Sequence, residues 1–214
     1  MSGVSFFLAT PLHDGRVHHA YMSGVIELAL AARERLIIGK FSGPFLPASR
    51  DILTAHFLRS GASHLLCVDS DIGWSAADVK KLVDADKDFV AGLYAKKTTE
   101  PLLATPLAEE REGALIAAPY AAAGFLLLTR ACVEQMVRAY PELQYDTPQG
   151  PAWALWSPLF DVRPYGEDAG FCRRWRKLGG KIWAHSQVLL KHYGDHAFVA
   201  QPPEQAPAEG PARP

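Results

Sequence analysis

Asp69-Ser70-Asp71 sets two carboxylates two residues apart, directly after the apolar run Leu65-Leu66-Cys67-Val68. On a turn leaving a strand, such a pair converges on one hard divalent cation, which takes oxygen ligands and bridges to diphosphate oxygens. The triplet alone suits a solvated turn equally well, and the buried strand ahead of it shifts the balance toward a metal. A second acidic pair, Glu167-Asp168, follows Gly166 at the start of a helical segment. Acids there complement the helix dipole by about 0.3–1 kcal/mol each. The functional alternative makes one of them a general base that deprotonates an acceptor hydroxyl. A third group, Lys191-His192-Tyr193-Gly194-Asp195-His196, closes the last apolar run. A histidine at a strand end can complete a metal's shell through a ring nitrogen. His192 is better placed for this than His196, because strand alternation sets it apart from Lys191 and Tyr193. The rival reading is a hydrogen-bonded structural histidine.

Other positions speak more softly. Arg50-Asp51 reaches a nucleotide or forms a surface pair, and Lys96-Lys97 holds phosphate or acceptor or merely solvates a loop. Gly124 permits close backbone approach to a ligand, or only eases packing. His18-His19 has no metal-like partner spacing and reads as surface.

The elements that must position these groups alternate. Val4 to Ala9 reads as a buried first strand closed by Thr10-Pro11, and Ala20 to Glu34 as a helix. A short strand from Arg35 to Gly39 precedes a helix over Pro47 to Ser60, with Gly61 at its C-terminus. His64 to Val68 is a third strand, Ser75 to Asp78 resembles a capping box, and Asp88 to Leu93 is a fourth strand. Ala123 to Thr129 predicts a strand, Ala131 to Tyr140 a helix, Gly166 to Leu178 a helix, and Val188 to Tyr193 a last strand. Within the Gly166 helix, Phe171, Trp175 and Leu178 form the apolar face, opposite Arg173, Arg174 and Lys177. Between them, Pro141 to Pro164 shows no periodicity, as expected of a functional or mobile loop. This rhythm predicts one α/β domain over residues 1–200, its mostly parallel sheet flanked by helices. Ligands of such sheets bind beyond the carboxyl ends of strands, where Asp69 falls. Gln201 to Pro214, with five prolines and no aromatic residue, reads as a disordered tail.

Composition excludes several classes. Twenty-two basic against 23 acidic side chains leave a net charge of -1, so no basic stripe advertises nucleic acid. The N-terminus lacks a signal-peptide pattern, and the most apolar window, Ala114 to Thr129, is too short for a transmembrane segment. Cys67, Cys132 and Cys172 lie far apart and read as buried reduced thiols, which fits a cytoplasmic setting.

In order and spacing these motifs resemble the GT-A glycosyltransferases, specifically a compact bacterial and phage-associated group similar to family 2. The resemblance rests on Arg50-Asp51-Ile52-Leu53, His64 to Trp74, Asp86 to Lys97, Ala123 to Arg130, Gly166 to Trp175, and His192. It implies a Rossmann-like GT-A sheet and transfer of a sugar from a nucleotide-sugar to an acceptor hydroxyl. It further implies Asp71 as a Mn²⁺ or Mg²⁺ ligand, Asp69 on the ribose or the metal, and His192 on the metal or diphosphate. Thr10, Pro11, Arg50, Ser70 and Gly124 would belong to the nucleotide site, with a UDP-sugar favoured over a GDP-sugar. Asp168 resembles the catalytic base of inverting members, supported by Glu167. The acceptor would be a glycan, a lipid-linked sugar or a protein, and the oligomeric state is open. Arg50-Asp51 stands where relatives often carry Arg-Asn, and Ala123-Gly124 where a Gly-Thr-Gly-like turn is common. Two rivals differ in class. A sugar nucleotidyltransferase would need a Gly-rich loop after the first strand, where Thr10 to Gly15 has one glycine; a non-catalytic nucleotide-binding module would bind without turnover.

Overall fold

The apolar runs assemble into one sheet whose carboxyl edge carries the acidic motif. The computed structural model describes residues 3–98, 100, 102–160, 164–194 and 196–202. The first half contains β1 (Phe6–Leu12), α1 (His19–Ala32), β2 (Leu36–Ser42), α2 (Leu46–Ser60), β3 (His64–Val68), β4 (Ile72–Gly73), α3 (Ala76–Asp84) and β5 (Phe89–Tyr94). The second contains β6 (Arg111–Glu112), β7 (Leu115–Ala117), β8 (Phe125–Thr129), α4 (Arg130–Ala139), β9 (Gln144–Thr147) and β10 (Gly150–Trp153). It continues with β11 (Leu159–Phe160), β12 (Pro164–Tyr165), α5 (Glu167–Lys177), β13 (Trp183–Tyr193) and β14 (Ala197–Val199).

The main sheet has the order β2-β1-β3-β8-β5-β13-β7-β6. β1 is parallel to both β2 and β3, and β5 is parallel to β13. β8 runs antiparallel to β3 on one side and β5 on the other. The carboxyl ends of β1, β3, β5 and β13 therefore share one edge with the amino end of β8. The mostly parallel, helix-flanked α/β sheet expected of a GT-A-like chain is thus present, with β8 reversed at its centre and β7 reversed near one edge. A reversed strand carries the same apolar run as a parallel one, so periodicity cannot reveal its direction.

Side-chain alternation builds two cores, one on each face. Phe7, Ala9, Leu65, Cys67, Leu126 and Leu128 pack against α2, α4 and α5. Phe6, Leu8, Leu66, Val68, Val90 and Leu127 pack against α1 and α3. The expected helix signals hold: Ser75 and Asp78 form a reciprocal capping box, and Gly61 ends α2 at a φ of 73°. β1 runs through Thr10-Pro11 rather than closing there. β3 pairs with it only to Ala9, so Pro11 lies beyond the doubly bonded stretch, where its missing N–H leaves no gap in that ladder.

The aperiodic segment between α4 and α5 is mostly built structure rather than loop. β9 and β10 form an antiparallel hairpin against α2, and Leu155 and Trp156 behind it are fully buried. Trp156 stacks on Phe171 with centroids 4.0 Å apart and donates its Nε1 proton to Thr54 Oγ1 at 3.0 Å. A two-residue turn and single buried aromatics leave no period to read. Arg174 also departs from its expected exposed face: it is buried and donates to the carbonyls of Leu155 and Ser157, both at 2.8 Å. Residues 161–163 of this segment, Asp195, and residues 203–214 of the tail lie outside the described residues.

Asp51 ties this segment to α2. It is buried, accepts the Trp156 backbone N–H at 2.9 Å, and burial pushes its pKa up to about 7 against the opposing pull of that N–H and of Arg174. The folded state therefore favours the neutral acid, while the unfolded chain ionises near the ordinary aspartate value of 3.8. That preference stabilises the fold fully below pH 4 and is lost as pH rises through 7. Urea unfolding is expected to show stability falling by a few kcal/mol between about pH 4 and 7, at about 1.36 kcal/mol for each pH unit crossed. Asp51→Asn should flatten that slope; an equally steep slope in the variant would discard Asp51 as its source.

Candidate active site

The chain turns from β3 into Asp69, whose backbone N–H donates to Gly124 O at 3.0 Å. This bond ties the acidic turn to the entry of the reversed strand β8. Gly124 is needed there: a Cβ on it would stand 2.5 Å from Tyr94 Oη and 3.2 Å from Asp69 Oδ2. Tyr94, at the end of β5, uses its hydroxyl to accept the Gly124 N–H at 2.9 Å. Burial, with Asp69 and Asp168 nearby, raises its pKa well above 10, so the phenol stays neutral.

Arg50 stands beneath this turn. Its guanidinium donates to Asp69 Oδ1 at 2.9 Å and to the Ala123 carbonyl at 3.4 Å, and only 3% of it meets solvent. Burial works against the charge, but Asp69 and Asp168 more than offset it and hold its pKa up. Arg50 lies under the site rather than in the cleft, and acts through Asp69. Thr10 is likewise turned inward, its hydroxyl 2.6 Å from Tyr21 Oη. Both are drawn in because a buried guanidinium or hydroxyl needs a partner, and that partner lies inside.

Asp168, in the first turn of α5, accepts the Ala123 N–H through Oδ2 at 3.0 Å. Its other oxygen, Oδ1, is shut off from solvent and has no hydrogen-bond partner. Burial pushes its pKa up to about 6, with Arg50 opposing and Glu167 reinforcing the rise. An electron-rich oxygen without a donor, on a group that titrates near neutrality, is suited to accepting a proton.

Asp71 faces a different set of partners. Lys97 Nζ lies 2.5 Å from its Oδ2, and His192 Nε2 lies 3.6 Å from its Oδ1. Burial disfavours its charge, but His192 and Lys97 prevail and lower its pKa to about 2. The other ring nitrogen of His192, Nδ1, sits 3.0 Å from the Ala95 carbonyl, which can only accept. Nδ1 therefore carries a proton. A second proton on Nε2 makes an imidazolium paired with Asp71; without it, two electron-pair donors face one another, an arrangement that a divalent cation satisfies. The three expected metal ligands are not brought together as one set. Asp71 and His192 meet, whereas Asp69 pairs with Arg50, and no cluster of three His, Cys, Asp or Glu side chains suited to a metal occurs among the described residues.

Beside the turn opens a cleft of about 250 Å³ between the carboxyl ends of β1 and β3, lined by Pro11, Leu12, His13, Gly43, Ser49, Asp69, Ser70 and Asp71 among others. Pro11, Asp69, Ser70 and Asp71 are legible in the sequence; His13, Gly43 and Ser49 are not, since nothing in their own segments marks them. His18 departs from its surface reading. It caps α1, donates its backbone N–H to Ser70 O at 2.8 Å, and stacks on Tyr193 with centroids 3.9 Å apart. Burial and neighbouring His19 lower its pKa, against the pull of Asp71. The acidic turn is thereby clasped from three sides.

No protein-family model matches the chain, and neither does any curated protein sequence. Among solved structures it is similar to A197 from STIV at 15% identity and a TM-score of 0.56, over 97% of this chain and 99% of that one. It also aligns with GalNAc-T7 in complex with UDP, GalNAc and Mn²⁺, at 10% identity and a TM-score of 0.46, over 85% of this chain and 42% of that one. A third similarity is to a glycosyltransferase involved in glycosylation of the major capsid of PBCV-1, at 12% identity and a TM-score of 0.37, over 64% and 66% of the two chains. With TM-scores under 0.5, the latter two carry no argument about this chain. The first, spanning both chains nearly end to end, shows a shared α/β fold.

Proposed function

We propose that this chain is a metal-dependent, inverting glycosyltransferase that moves a sugar from a nucleotide-sugar, preferably a UDP-sugar, to an acceptor hydroxyl. One observation carries the reading: Asp71 with His192, the Arg50–Asp69 pair, and the donor-less Oδ1 of Asp168 all stand along one edge of the sheet. A diphosphate leaving group needs positive charge, and an acceptor needs a base, on opposite sides of one sugar.

In this reading Asp71 and His192 would hold Mn²⁺ or Mg²⁺. When bound, the cation stabilises negative charge on the departing diphosphate. Lys97 neutralises Asp71 in its absence and is placed to meet phosphate when displaced. Asp69, locked by Arg50, presents Oδ2 to the nucleotide, Ser70 and Pro11 line its path, and Gly124 backs the turn from inside. Asp168 takes the acceptor's proton, with Glu167 beside it. A glycan, lipid-linked or protein acceptor suits this chemistry equally. Three buried thiols agree with a cytoplasmic setting; no helix among the described residues is long and apolar enough to cross a membrane.

The test is nucleotide-induced thermal stabilisation. Uridine diphosphate with Mn²⁺, at about a hundredfold excess over Kd, should raise the Tm by roughly 5–10 °C. Asp71→Ala should erase the Mn²⁺-dependent part. Stabilisation that survives the substitution intact would remove Asp71, and the metal, from the reading.

A further inference from the structure

The strand β2 ends the main sheet, and among the described residues nothing pairs with its outer edge. It is seven residues long, Leu-Ile-Ile-Gly-Lys-Phe-Ser, with Lys40 its one charge. Long, nearly uncharged edges invite pairing with another strand, and chains usually blunt them.

Beside this edge runs a second unusual feature. Met22, Ile26 and Leu30 recur every four residues on α1 and are exposed, Ile26 by 55% and Leu30 by 75%. The direction of this stripe follows from the helix's other contacts. Gly24 backs onto Trp74, and Glu27 accepts the Ala76 N–H at the start of α3, so those positions mark the α3 side. At 100° per residue, Met22 and Ile26 lie on the opposite side of the buried Tyr21–Val25–Leu28 face, toward β2. There Ile38, which shares the α1 face of the sheet with Leu8, is also exposed, by 52%. The helix stripe and Ile38 thus lie on the same face of the sheet, beside its open edge.

We infer that this face is a two-fold homodimer interface, in which β2 pairs antiparallel with β2 of a second copy while the two α1 stripes pack together. The occupant follows from what the face needs. Backbone N–H and C=O groups along the edge are met by a strand, whereas lipid would leave them without partners. Met22, Ile26, Leu30 and Ile38 expose on the order of 400 Å², the size of patch that marks an interaction site. Two such patches bury roughly 800 Å², and the paired strand edges add to this toward the ~1,000 Å² at which specific interfaces begin. A second copy supplies an identical stripe and edge, as an isologous contact requires. Pairing through this face is independent of any transferase activity.

Sedimentation velocity on the full chain at micromolar concentration is expected to show a species of twice the 23.4 kDa chain mass. Ile26→Glu with Leu30→Glu and Ile38→Lys should halve that mass while leaving the circular dichroism spectrum unchanged, since all three side chains face solvent in the single chain. Amides of β2 should exchange more slowly in the wild type than in this triple variant. A wild-type monomer overturns the inference, as does a dimer that survives the three substitutions. Equal exchange rates in β2 would overturn the strand pairing, and a monomer that partitions onto anionic lipid vesicles would assign the stripe to a membrane surface instead.

Discussion

Asp168→Asn is expected to leave nucleotide binding intact and to reduce sugar transfer by about 10²–10⁴-fold, the contribution typical of a positioned general base. The substitution preserves shape: the asparagine oxygen can still accept the Ala123 N–H that Oδ2 now takes at 3.0 Å. What disappears is Oδ1, the buried oxygen without a partner, which an amide nitrogen would replace with a donor. Stability should change little in acid, where the carboxyl is neutral, and should rise above about pH 6, because burial makes the ionised carboxylate costly to the fold and the amide does not bear that cost. Release of uridine diphosphate from a UDP-sugar, to water or to a panel of acceptors, measures the loss, and thermal shift with uridine diphosphate measures the binding. In the wild type the acid limb of the pH profile should rise through about pH 6 as the carboxyl gives up its proton. Full transfer by the variant would strike Asp168 from the mechanism.

Arg50→Leu should be the most destabilising single change at the site, by about 3–5 kcal/mol, the range seen when one partner of a buried ion pair is removed. Its guanidinium contacts Asp69 at 2.9 Å and is the cation whose charge acts on both Asp69 and Asp168. Without it, Asp69 loses its partner and Asp168 loses the charge that opposes its burial. The side chain also lies over the Trp156 ring, 5.4 Å from the centroid, so leucine leaves that contact unfilled. Urea unfolding gives the magnitude, and a double-mutant cycle gives the cause. If charge is responsible, Arg50→Leu with Asp69→Asn should recover part of the loss. A double variant as unstable as the sum of its parts would point to packing instead. Lysine is a poor substitute, since one ammonium cannot span the Asp69 carboxylate and the Ala123 carbonyl with a planar fork.

The positions of these residues show where local pattern stops being informative. Asp69 and Asp71 are two residues apart and read in sequence as a single cation site, yet they serve different partners. Asp69 turns toward Arg50, 19 positions earlier, and Asp71 toward Lys97 and His192. Separation along the chain cannot reveal this, because the two side chains leave the turn in different directions. His18 is unreadable for a similar reason: its stacking partner Tyr193 is at the far end of the chain.

Apolar runs, caps and turn residues are enough to place β3, β5, α2, α3, α4 and α5 nearly where they stand, since burial period and capping are properties of a few neighbouring residues. The same runs put Asp69 at a strand's carboxyl end and Asp168 in a helix's first turn. Tertiary structure decided that β8 enters reversed between β3 and β5, so that Gly124 backs the acidic turn rather than lying across the sheet. It also decided that Arg50 and Asp51 are buried, that the proline-rich stretch folds into a hairpin over Trp156, and that the outer edge of β2 has no partner among the described residues. Strand direction and charge burial depend on pairings between distant segments, and those free energies do not exist until the sheet has closed around them.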